Sequence, residues 1–405
     1  MSIAWRDAMS QALYGPGGFF VAGTGPADHF RTSVHASPAF ATALLRLLTQ
    51  VDAALGHPSR FDVVDVGAGR GELLRALAGL AHNPAGVAVG VSGEPDHSGR
   101  SGLIPAWSGS PETLTSTTSA RPAPDGPSLA AVPPSLAERV RFTAIEYAPR
   151  PENLPGEINW TSEIPAGITG VLLATEWLDN VPLDVAVQSE DGWRYVLVDP
   201  ESGAESIGEL VSPADLDWLT TWWPSPTTSS STDGAPNPGL TSTDATSENE
   251  SGFRAEIGRS RDEAWANAVQ KIERGLAVAV DYGHLSGDRP VDGTLTGYRG
   301  GRQVPPVPDG SSDVTAHVAM DSVASAGAAV ARCAYSLVLQ REALRALGAD
   351  GGRPPLSLAG TDPVGYVRAL AAASTVAELT DPAGLGGHWW LRQPVGIPLG
   401  SAVAR

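Results

Sequence analysis

The stretch FDVVDVGAGRGELLRAL, residues 61–77, decides the fold. Residues 61–66 form a short apolar run that is typical of a buried parallel strand. Glycines follow at positions 67, 69 and 71, and leucines then recur at helical spacing. A strand, a glycine turn and a helix in this order form the first half of a nucleotide-binding βαβ unit. Glycine lets the backbone approach a ligand closely, and the start of a helix presents free N–H groups.

The glycine spacing separates two kinds of nucleotide site. Gly67, Gly69 and Gly71 give G-x-G-x-G, whereas most dinucleotide sites have G-x-G-x-x-G. With Asp65 near the strand end, the segment resembles motif I of class I S-adenosylmethionine (SAM) methyltransferases. We therefore predict that Asp65 and the three glycines bind SAM. An NAD-type dinucleotide site and a purely structural turn are the alternatives.

Length and composition exclude several classes of protein. A chain of 405 residues with 42% hydrophobic residues predicts one large or two modest domains with a substantial core. No apolar stretch is long enough to span a membrane, and the first residues, MSIAWRDAMS, do not resemble a secretory signal. Cys333 is the only cysteine, which excludes an internal disulfide and favours the cytoplasm. No zinc-type motif occurs, so we predict no metal site.

The chain is strongly acidic, with a net charge of −18. A nucleic-acid surface needs clustered cations, so we predict no nucleic-acid partner. The acidity either serves solubility or favours a basic partner, such as an arginine-bearing protein. Lys271 is the only lysine and no P-loop precedes it. The sequence sets no oligomeric state.

A second acid is needed to bind the ribose of a nucleoside. Residues 140–147 form an alternating strand-like segment that ends near Glu146. The usual gap from the glycine turn is about twenty residues, and the low-complexity stretch at 82–134 accounts for the excess here. Glu94, after the apolar run at 87–91, is the alternative. We favour Glu146 because its strand is longer and better bounded.

Two further carboxylates follow the clearest buried strand, residues 170–175. Glu176 and Asp179 come directly after it, and ligands of open α/β sheets bind at the carboxyl ends of strands. We predict that both are catalytic, holding a cationic group or accepting a proton. Hydrogen bonding within a tight turn before Pro182 is the alternative. A later strand, residues 275–280, also ends in an acid, Asp281.

The rest of the sequence predicts an α/β fold with a mostly parallel sheet and helices on both faces. Residues 1–35 are predicted as loop, and their aromatic residues form either a lid over the glycine turn or an anchored surface loop. Helices are predicted from Ser37-Pro38 and over 263–274, 325–347 and 362–379, with a hairpin at 185–198 and a final strand at 388–395. His317 is either a base or a histidine satisfied by neighbouring backbone.

We predict four segments in the chain: an N-terminal lid loop and helix (1–55), a first core part (56–223) with a low-complexity insertion at 82–134, a disordered linker (224–251) and a second core part with inserted helices (252–400).

Over most of its length the sequence resembles the MidA-like SAM-dependent methyltransferases, which include the mitochondrial complex I assembly factor that methylates an arginine. The matching segments, in chain order, are GPGGFF, DHFRTS, VVDVGAGRGELL, IEYAP, VLLATEWLDNVP, EIGRS, VAVDYGH, TLTGYR, DVTAHV and LVLQREALRALG. The stretches near 82–134 and 224–251 lie outside the match. The order and spacing make the set specific, although each segment alone is weak.

This resemblance implies a Rossmann-like class I methyltransferase core with helical and loop elements over the site. By the family pattern, Gly67, Gly69 and Gly71 line the methionine part of SAM, and Glu146 takes the ribose. Glu176 and Asp179 line the acceptor side, and Asp281 and Tyr282 lie at its mouth. The partner implied is a protein substrate, such as a respiratory-complex subunit.

The sequence departs from the family pattern at three places. The usual G-D-F appears as Asp28-His29-Phe30, Val34-His35 replaces a glutamate after T-S-P, and a histidine is absent around Gly300-Gly301. These changes lie on the presumed acceptor side, so they bear on substrate identity. We predict N-methylation of an arginine in a protein. A non-catalytic SAM-binding assembly factor and a small-molecule O- or N-methyltransferase are the alternatives.

Overall fold

The structure is a computed structural model that describes residues 1–22, 33, 38–82, 134–224, 253–349 and 351–398. Almost all of the predicted insertions at 82–134 and 224–251, together with Glu94 and Asp28-His29-Phe30, lies outside these ranges. The strands are β1 (Ile3–Ala4), β2 (Phe61–Val66), β3 (Val140–Ile145), β4 (Ile158–Thr161), β5 (Ile168–Thr175), β6 (Asp184–Ser189), β7 (Gly192–Val198), β8 (Glu205–Leu210), β9 (Arg254–Ile257), β10 (Ile272–Asp281), β11 (Gly283–His284), β12 (Thr296–Arg299), β13 (Arg302–Val304), β14 (Asp313–Thr315), β15 (Val318–Ala319), β16 (Ser336–Leu339) and β17 (Trp389–Val395). The helices are α1 (Trp5–Tyr14), α2 (Phe19–Ala22), α3 (Pro38–Ala54), α4 (Glu72–His82), α5 (Leu136–Arg139), α6 (Pro213–Trp222), α7 (Arg259–Gln270), α8 (Met320–Ala331), α9 (Gln340–Ala346), α10 (Leu356–Thr361) and α11 (Pro363–Thr380).

A seven-stranded sheet forms the centre, in the order β16-β17-β10-β5-β2-β3-β4. The five strands from β10 to β4 are parallel, and β17 runs antiparallel to both β10 and β16. The strand order reverses between β2 and β5. In open α/β sheets a ligand binds in the crevice at this switch point, outside the carboxyl ends of the strands.

Alternate side chains of the central strands face two separate cores. Val63 and Leu173 pack in one core with residues of α3, α4, α9 and α11. Val64 and Leu172 pack in the other with residues of α7 and α8. Fully burying each such side chain contributes about 1.5–3 kcal/mol, so both faces of the sheet are fixed by packing. The chain therefore has an α/β fold, as predicted.

A second sheet, β1-β7-β6-β9 with β8 paired to β7, extends the molecule beside the end of β5. Its β6–β7 pair confirms the predicted hairpin at 185–198. Helix α1 covers one face of this sheet, where Trp5, Met9 and Leu13 pack against Val185 and Val196. The second sheet thereby brings the N-terminal segment towards the site.

Three local predictions were wrong. The predicted loop at 1–35 contains α1, because Trp5, Met9 and Leu13 recur at helical spacing and find a core. The helix predicted at 263–274 ends at residue 270, and β10 begins at 272. The helical stretch predicted at 325–347 contains strand β16, which pairs with β17. No helix in the described ranges combines the length and apolarity needed to cross a membrane.

Candidate functional site

The glycine turn joins β2 to α4 at the carboxyl edge of the central sheet. Gly67, Gly69 and Gly71 have φ angles of 72°, 58° and 79°. A Cβ atom on Gly71 would lie 2.7 Å from Leu154 Cδ1, and one on Gly67 would lie 3.1 Å from Trp177 Cδ1. Because only glycine adopts these angles freely and leaves this space, the turn brings bare main chain to the switch point.

Glu146 follows β3, and its carboxylate faces the glycine turn. Its Oε2 accepts the Gly69 N–H at 3.1 Å, and its Oε1 accepts the Tyr147 N–H at 2.7 Å. Burial raises the pKa of Glu146, and these backbone donors oppose the rise. The structure thus brings the acid predicted for the ribose to the turn, although the two lie 77 positions apart. Ribose binding by Glu146 stays a prediction.

Asp65 lines the cleft at the end of β2 and is only 3% exposed. Among the described residues its carboxyl group has no hydrogen-bond partner. Burial, and to a smaller extent the carboxyl groups of Glu72 and Glu146, raises the pKa of Asp65 to about 8. A buried carboxyl group without a protein partner is costly unless a ligand satisfies it, and a cationic group does so best.

Glu176 occupies a strained position directly after β5. Its φ angle of 52° is in the left-handed region, which costs a non-glycine residue about 1–3 kcal/mol. Its backbone N–H donates to Val280 O at 2.8 Å, and its Oε1 accepts the Ser33 N–H at 2.9 Å. This conformation keeps the half-buried side chain on the wall of the cleft.

Asp179 lies in a short 3₁₀ turn after Glu176 and is 3% exposed. Its Oδ2 accepts hydrogen bonds from the Tyr282 hydroxyl and from Thr315 Oγ1, the latter at 2.7 Å. Its buried Oδ1 has no partner among the described residues, although Asp179 lines the cleft. Burial raises the pKa of Asp179, against the hydrogen bonds from Tyr282 and Thr315.

Asp281 lies behind this turn, at the end of β10. It is 0% exposed, and its Oδ2 accepts the N–H groups of Leu178 at 2.9 Å and Asp179 at 3.3 Å. The prediction that Asp281 lies at the mouth of the site was therefore wrong: it holds the turn from within. Burial, followed by the charges of Asp179 and Glu176, raises the pKa of Asp281 well above its usual value.

Arg261 is the buried cation of this region, and the sequence reasoning missed it. Its guanidinium donates to the carbonyl oxygens of Val181 at 3.1 Å, Ala316 at 2.9 Å and His317 at 2.9 Å, and also to that of Asp179. It therefore joins the turn after β5 to the loop after β14. The segment EIGRS pointed to this region, but nothing in its spacing singled out the next residue, Arg261.

A second missed group is the buried pair of Asn180 and Asp313. Asn180 Nδ2 donates to Asp313 Oδ1 at 2.7 Å, and burial raises the pKa of Asp313 well above its usual value. The Tyr14 hydroxyl donates to Asn180 O at 3.2 Å. This pair connects the N-terminal segment to the site. An acid in the apolar DVTAHV segment was the only available sequence signal.

The N-terminal aromatic residues reach the cleft. Tyr14 stacks on Phe20 with ring centroids 5.6 Å apart and meets Tyr147 edge-on at 5.6 Å. All three line the cleft. The lid function of this N-terminal segment stays a prediction. His317, in contrast, is exposed and contacts the ring of Tyr282 at 5.1 Å, away from the cleft lining.

The cleft as a whole is acidic and aromatic. Its described lining includes five carboxyl side chains, Asp65, Glu72, Glu146, Glu176 and Asp179, and no lysine, arginine or histidine. No three described side chains converge as metal ligands. A site of this kind binds cationic groups and repels phosphates.

Comparison with protein-family models finds a match, over residues 128–337, to a family described as "Putative S-adenosyl-L-methionine-dependent methyltransferase". The match covers just over half of the chain. Comparison with curated proteins finds no match.

Two solved structures from Burkholderia thailandensis are similar to this chain. One is described as a "likely methyl transferase" bound to S-adenosyl-homocysteine, with a TM-score of 0.66 and 20% identity over 100% of this chain and 91% of that chain. The other, a native structure of an uncharacterized superfamily protein, has a TM-score of 0.64 and 20% identity over 100% of this chain and 90% of that chain. At this identity the likeness shows the shared fold.

Proposed function

Because the chain belongs to this family of S-adenosyl-L-methionine-dependent methyltransferases, we propose that it methylates a nitrogen of an arginine side chain in a protein partner. SAM is the cofactor of the family. The residues at the switch point fit its charges, because Asp65 offers an unpartnered carboxyl group beside bare main chain. The parallel strands β4-β3-β2-β5-β10 follow the Rossmann order, which supports a Rossmann-like class I core.

The observation that best supports this function is the acidic lining of the cleft. Five carboxyl groups line it, and no described basic side chain does. SAM bears a sulfonium and an ammonium group, and a guanidinium acceptor adds a further cation. A dinucleotide would bring phosphates against these carboxylates, so the charge argues against the NAD alternative. The presence of carboxyl groups at both ends of the cleft supports a cationic acceptor such as arginine.

We assign the two ends of the cleft different roles. The cofactor half contains the glycine turn with Asp65 and Glu146, and the acceptor half contains Glu176 and Asp179. In the acceptor half, Oδ2 of Asp179 is bonded to Tyr282 and Thr315, whereas its buried Oδ1 has no partner among the described residues; we assign Oδ1 to a guanidinium N–H of the bound acceptor. The Glu176 carboxylate orients the same group from the opposite end of the turn.

The reaction follows from this placement. Bound SAM supplies an activated methyl carbon. The guanidino nitrogen forms a bond to this carbon while the carbon–sulfur bond breaks and leaves its electron pair on sulfur. Asp179 or Glu176 receives the proton that the nitrogen gives up. Because burial raises the pKa of Asp179, its carboxylate is a stronger base than an exposed aspartate. Tyr14, Phe20 and Tyr147 would exclude water at the mouth.

The test uses SAM with a labelled methyl group and an extract of cells that lack the protein. We expect S-adenosyl-homocysteine to form, and mass spectrometry to find labelled methylarginine in one or a few proteins. Glu176→Gln is expected to keep SAM binding and lose transfer. The control is Glu190→Gln, which changes an exposed acid on the β6–β7 hairpin.

The other outcomes identify the alternatives. SAM binding without S-adenosyl-homocysteine production would indicate a non-catalytic assembly factor, and label only in the small-molecule fraction would indicate a small-molecule methyltransferase. By resemblance to the family, a respiratory-complex subunit is the first protein to examine. The single cysteine supports a cytoplasmic location.

A further inference from the structure

We propose that Gln340 is a positioning residue for Glu176 and acts through Ser33. This inference rests on the proposed function, in which Glu176 orients the acceptor. Gln340 is the first residue of α9, and it lies 307 positions after Ser33. Both residues are 0% exposed, and neither lines the cleft. No sequence motif connects them, so only the fold brings them together.

The contacts form a continuous path to the cleft. The Ser33 backbone N–H donates to Glu176 Oε1 at 2.9 Å. The Ser33 hydroxyl meets the Gln340 side-chain amide on both of its atoms, at 3.2 Å from Nε2 and 3.4 Å from Oε1. The Gln340 amide therefore contacts the side chain of Ser33, whose backbone N–H bonds to the Glu176 carboxylate.

The Gln340 amide is fixed by two further elements. Its Oε1 accepts the indole N–H of Trp390, in β17, at 3.0 Å. Its Nε2 donates to Leu379 O, near the end of α11, at 3.3 Å. A buried amide whose donors and acceptor are engaged is rigid, because any rotation leaves a polar atom unsatisfied. The central sheet and α11 thus set the place of Ser33.

Glu176 needs such support because its own backbone is strained. A non-glycine residue with a φ of 52° persists only where its surroundings hold it in place. Val280 O holds its backbone N–H at 2.8 Å, and the Ser33 N–H holds its carboxylate. A small displacement of Ser33 would move the carboxylate relative to the acceptor, and transfer rates are sensitive to misplacements of about 1 Å.

The simpler interpretation is that Gln340 only stabilises the core between β17 and α11. A role of that kind lowers the melting temperature without changing turnover by the folded enzyme. The positioning role predicts a lower kcat with an unchanged KM for SAM. It also predicts that the effect passes through the Ser33 hydroxyl.

The test compares Gln340→Met, Ser33→Ala and the double variant in the full chain. Ser33→Ala removes the hydroxyl and keeps the backbone N–H. Val376→Ala is the matched control, because Val376 belongs to the same core cluster as Trp390 and Leu379 and has no bond to Ser33. The assay measures S-adenosyl-homocysteine formation with SAM and the cell extract. Crystal structures of the wild type and Gln340→Met with S-adenosyl-homocysteine bound give the place of Glu176.

We expect each single variant to lose kcat by about tenfold to a hundredfold with KM for SAM unchanged. The double variant should lose no more than the larger single effect, and Val376→Ala should lose stability alone. In the crystal structures the Glu176 carboxylate should leave the Ser33 N–H in Gln340→Met. An unmoved carboxylate, or additive losses of kcat, would overturn the inference. If the wild type transfers no methyl group, the proposed function fails, whereas the crystal structures still decide whether Gln340 positions Glu176.

Discussion

The cofactor half and the acceptor half of the cleft differ in how their carboxylates are held. In the cofactor half, Glu146 bonds to backbone N–H groups of neighbouring turns, and Asp65 has no described protein partner. In the acceptor half, Asp179 accepts the side-chain hydroxyl groups of Tyr282 and Thr315, and behind it Asp281 accepts the backbone N–H groups of Leu178 and Asp179. The difference is in the kind of donor: backbone N–H groups hold Glu146, whereas side-chain hydroxyl groups hold Asp179.

This difference has a physical reason. SAM offers ribose hydroxyl donors and a methionine ammonium donor that a glycine turn and two acids can satisfy. A buried set of carboxylates without the ligand must instead be stabilised by protein donors, since isolated buried charges are costly. The acceptor half therefore depends on Arg261, Tyr282, Thr315 and Asn180. Substitutions in the cofactor half should consequently affect SAM binding. Substitutions in the acceptor half should affect turnover or stability.

The largest effect is expected from Asp179→Asn. Asparagine can keep the bonds to Tyr282 and Thr315 but cannot receive a proton, so turnover should fall about 10²–10⁴-fold while SAM affinity stays the same. Initial rates of S-adenosyl-homocysteine formation and calorimetric SAM titrations measure the two quantities. A matching loss of SAM affinity would show that the two halves do not act separately.

Arg261→Met should have the next largest effect, and it should act on stability. The substitution removes the guanidinium donor shared by four carbonyl oxygens and the buried cation near Asp179 and Asp281. Breaking a buried charged network typically costs about 3–5 kcal/mol. Urea denaturation measures the change. Arg194→Met, on the exposed hairpin, is the control, and an equal loss there would contradict the special role of Arg261.

Glu146→Gln should act only on the cofactor half. Charge-assisted hydrogen bonds contribute about 1.5–3 kcal/mol, so SAM affinity should fall about tenfold to a hundredfold, with turnover preserved at saturating SAM. Calorimetry measures the affinity. Glu152→Gln alters an exposed acid in the same loop region and should change nothing. Normal SAM affinity in Glu146→Gln would return Glu94 to consideration as the ribose ligand.

The smallest effect is a pH dependence of SAM affinity, which arises from Asp65. The pKa of Asp65 is about 8 in the free protein, so below that pH the carboxyl group is neutral. A cationic ligand favours the ionised form, and SAM affinity should rise with pH towards 8, by at most about tenfold per pH unit. Asp65→Asn should flatten this dependence in titrations between pH 6 and 9.

The Asp65 carboxyl group gives folding stability the opposite pH dependence. Native Asp65 keeps its proton up to about pH 8, whereas an unfolded aspartate loses it at its usual value of 3.8. Its contribution to stability is therefore present at low pH and is lost as the pH rises from about 4 to 8. Asp65→Asn should gain stability relative to the wild type at pH 8, and urea denaturation at several pH values measures this gain.

The two halves also differ in how far the sequence predicted them. Residues 61–71 are contiguous, so strand, turn and helix could be recognised from spacing alone, and Glu146 followed from its place after a strand. Other hydrogen bonds join residues far apart in the sequence: Arg261 lies 82 positions from Asp179, Asp313 lies 133 from Asn180, and Ser33 lies 143 from Glu176. No local pattern indicates such contacts. Asp281 was recognised as a strand-end acid, but its burial depends on how the turn after β5 folds over it.

The Arg261 guanidinium has one further consequence, for how this protein can vary. It bonds only to main-chain oxygens at positions 179, 181, 316 and 317. Every amino acid carries such an oxygen, so the residues at 181, 316 and 317 can be substituted without loss of the hydrogen bonds that Arg261 donates. Relatives can therefore share this architecture although the residues around these oxygens differ. An arginine at the position of Arg261 is the feature to search for in their sequences.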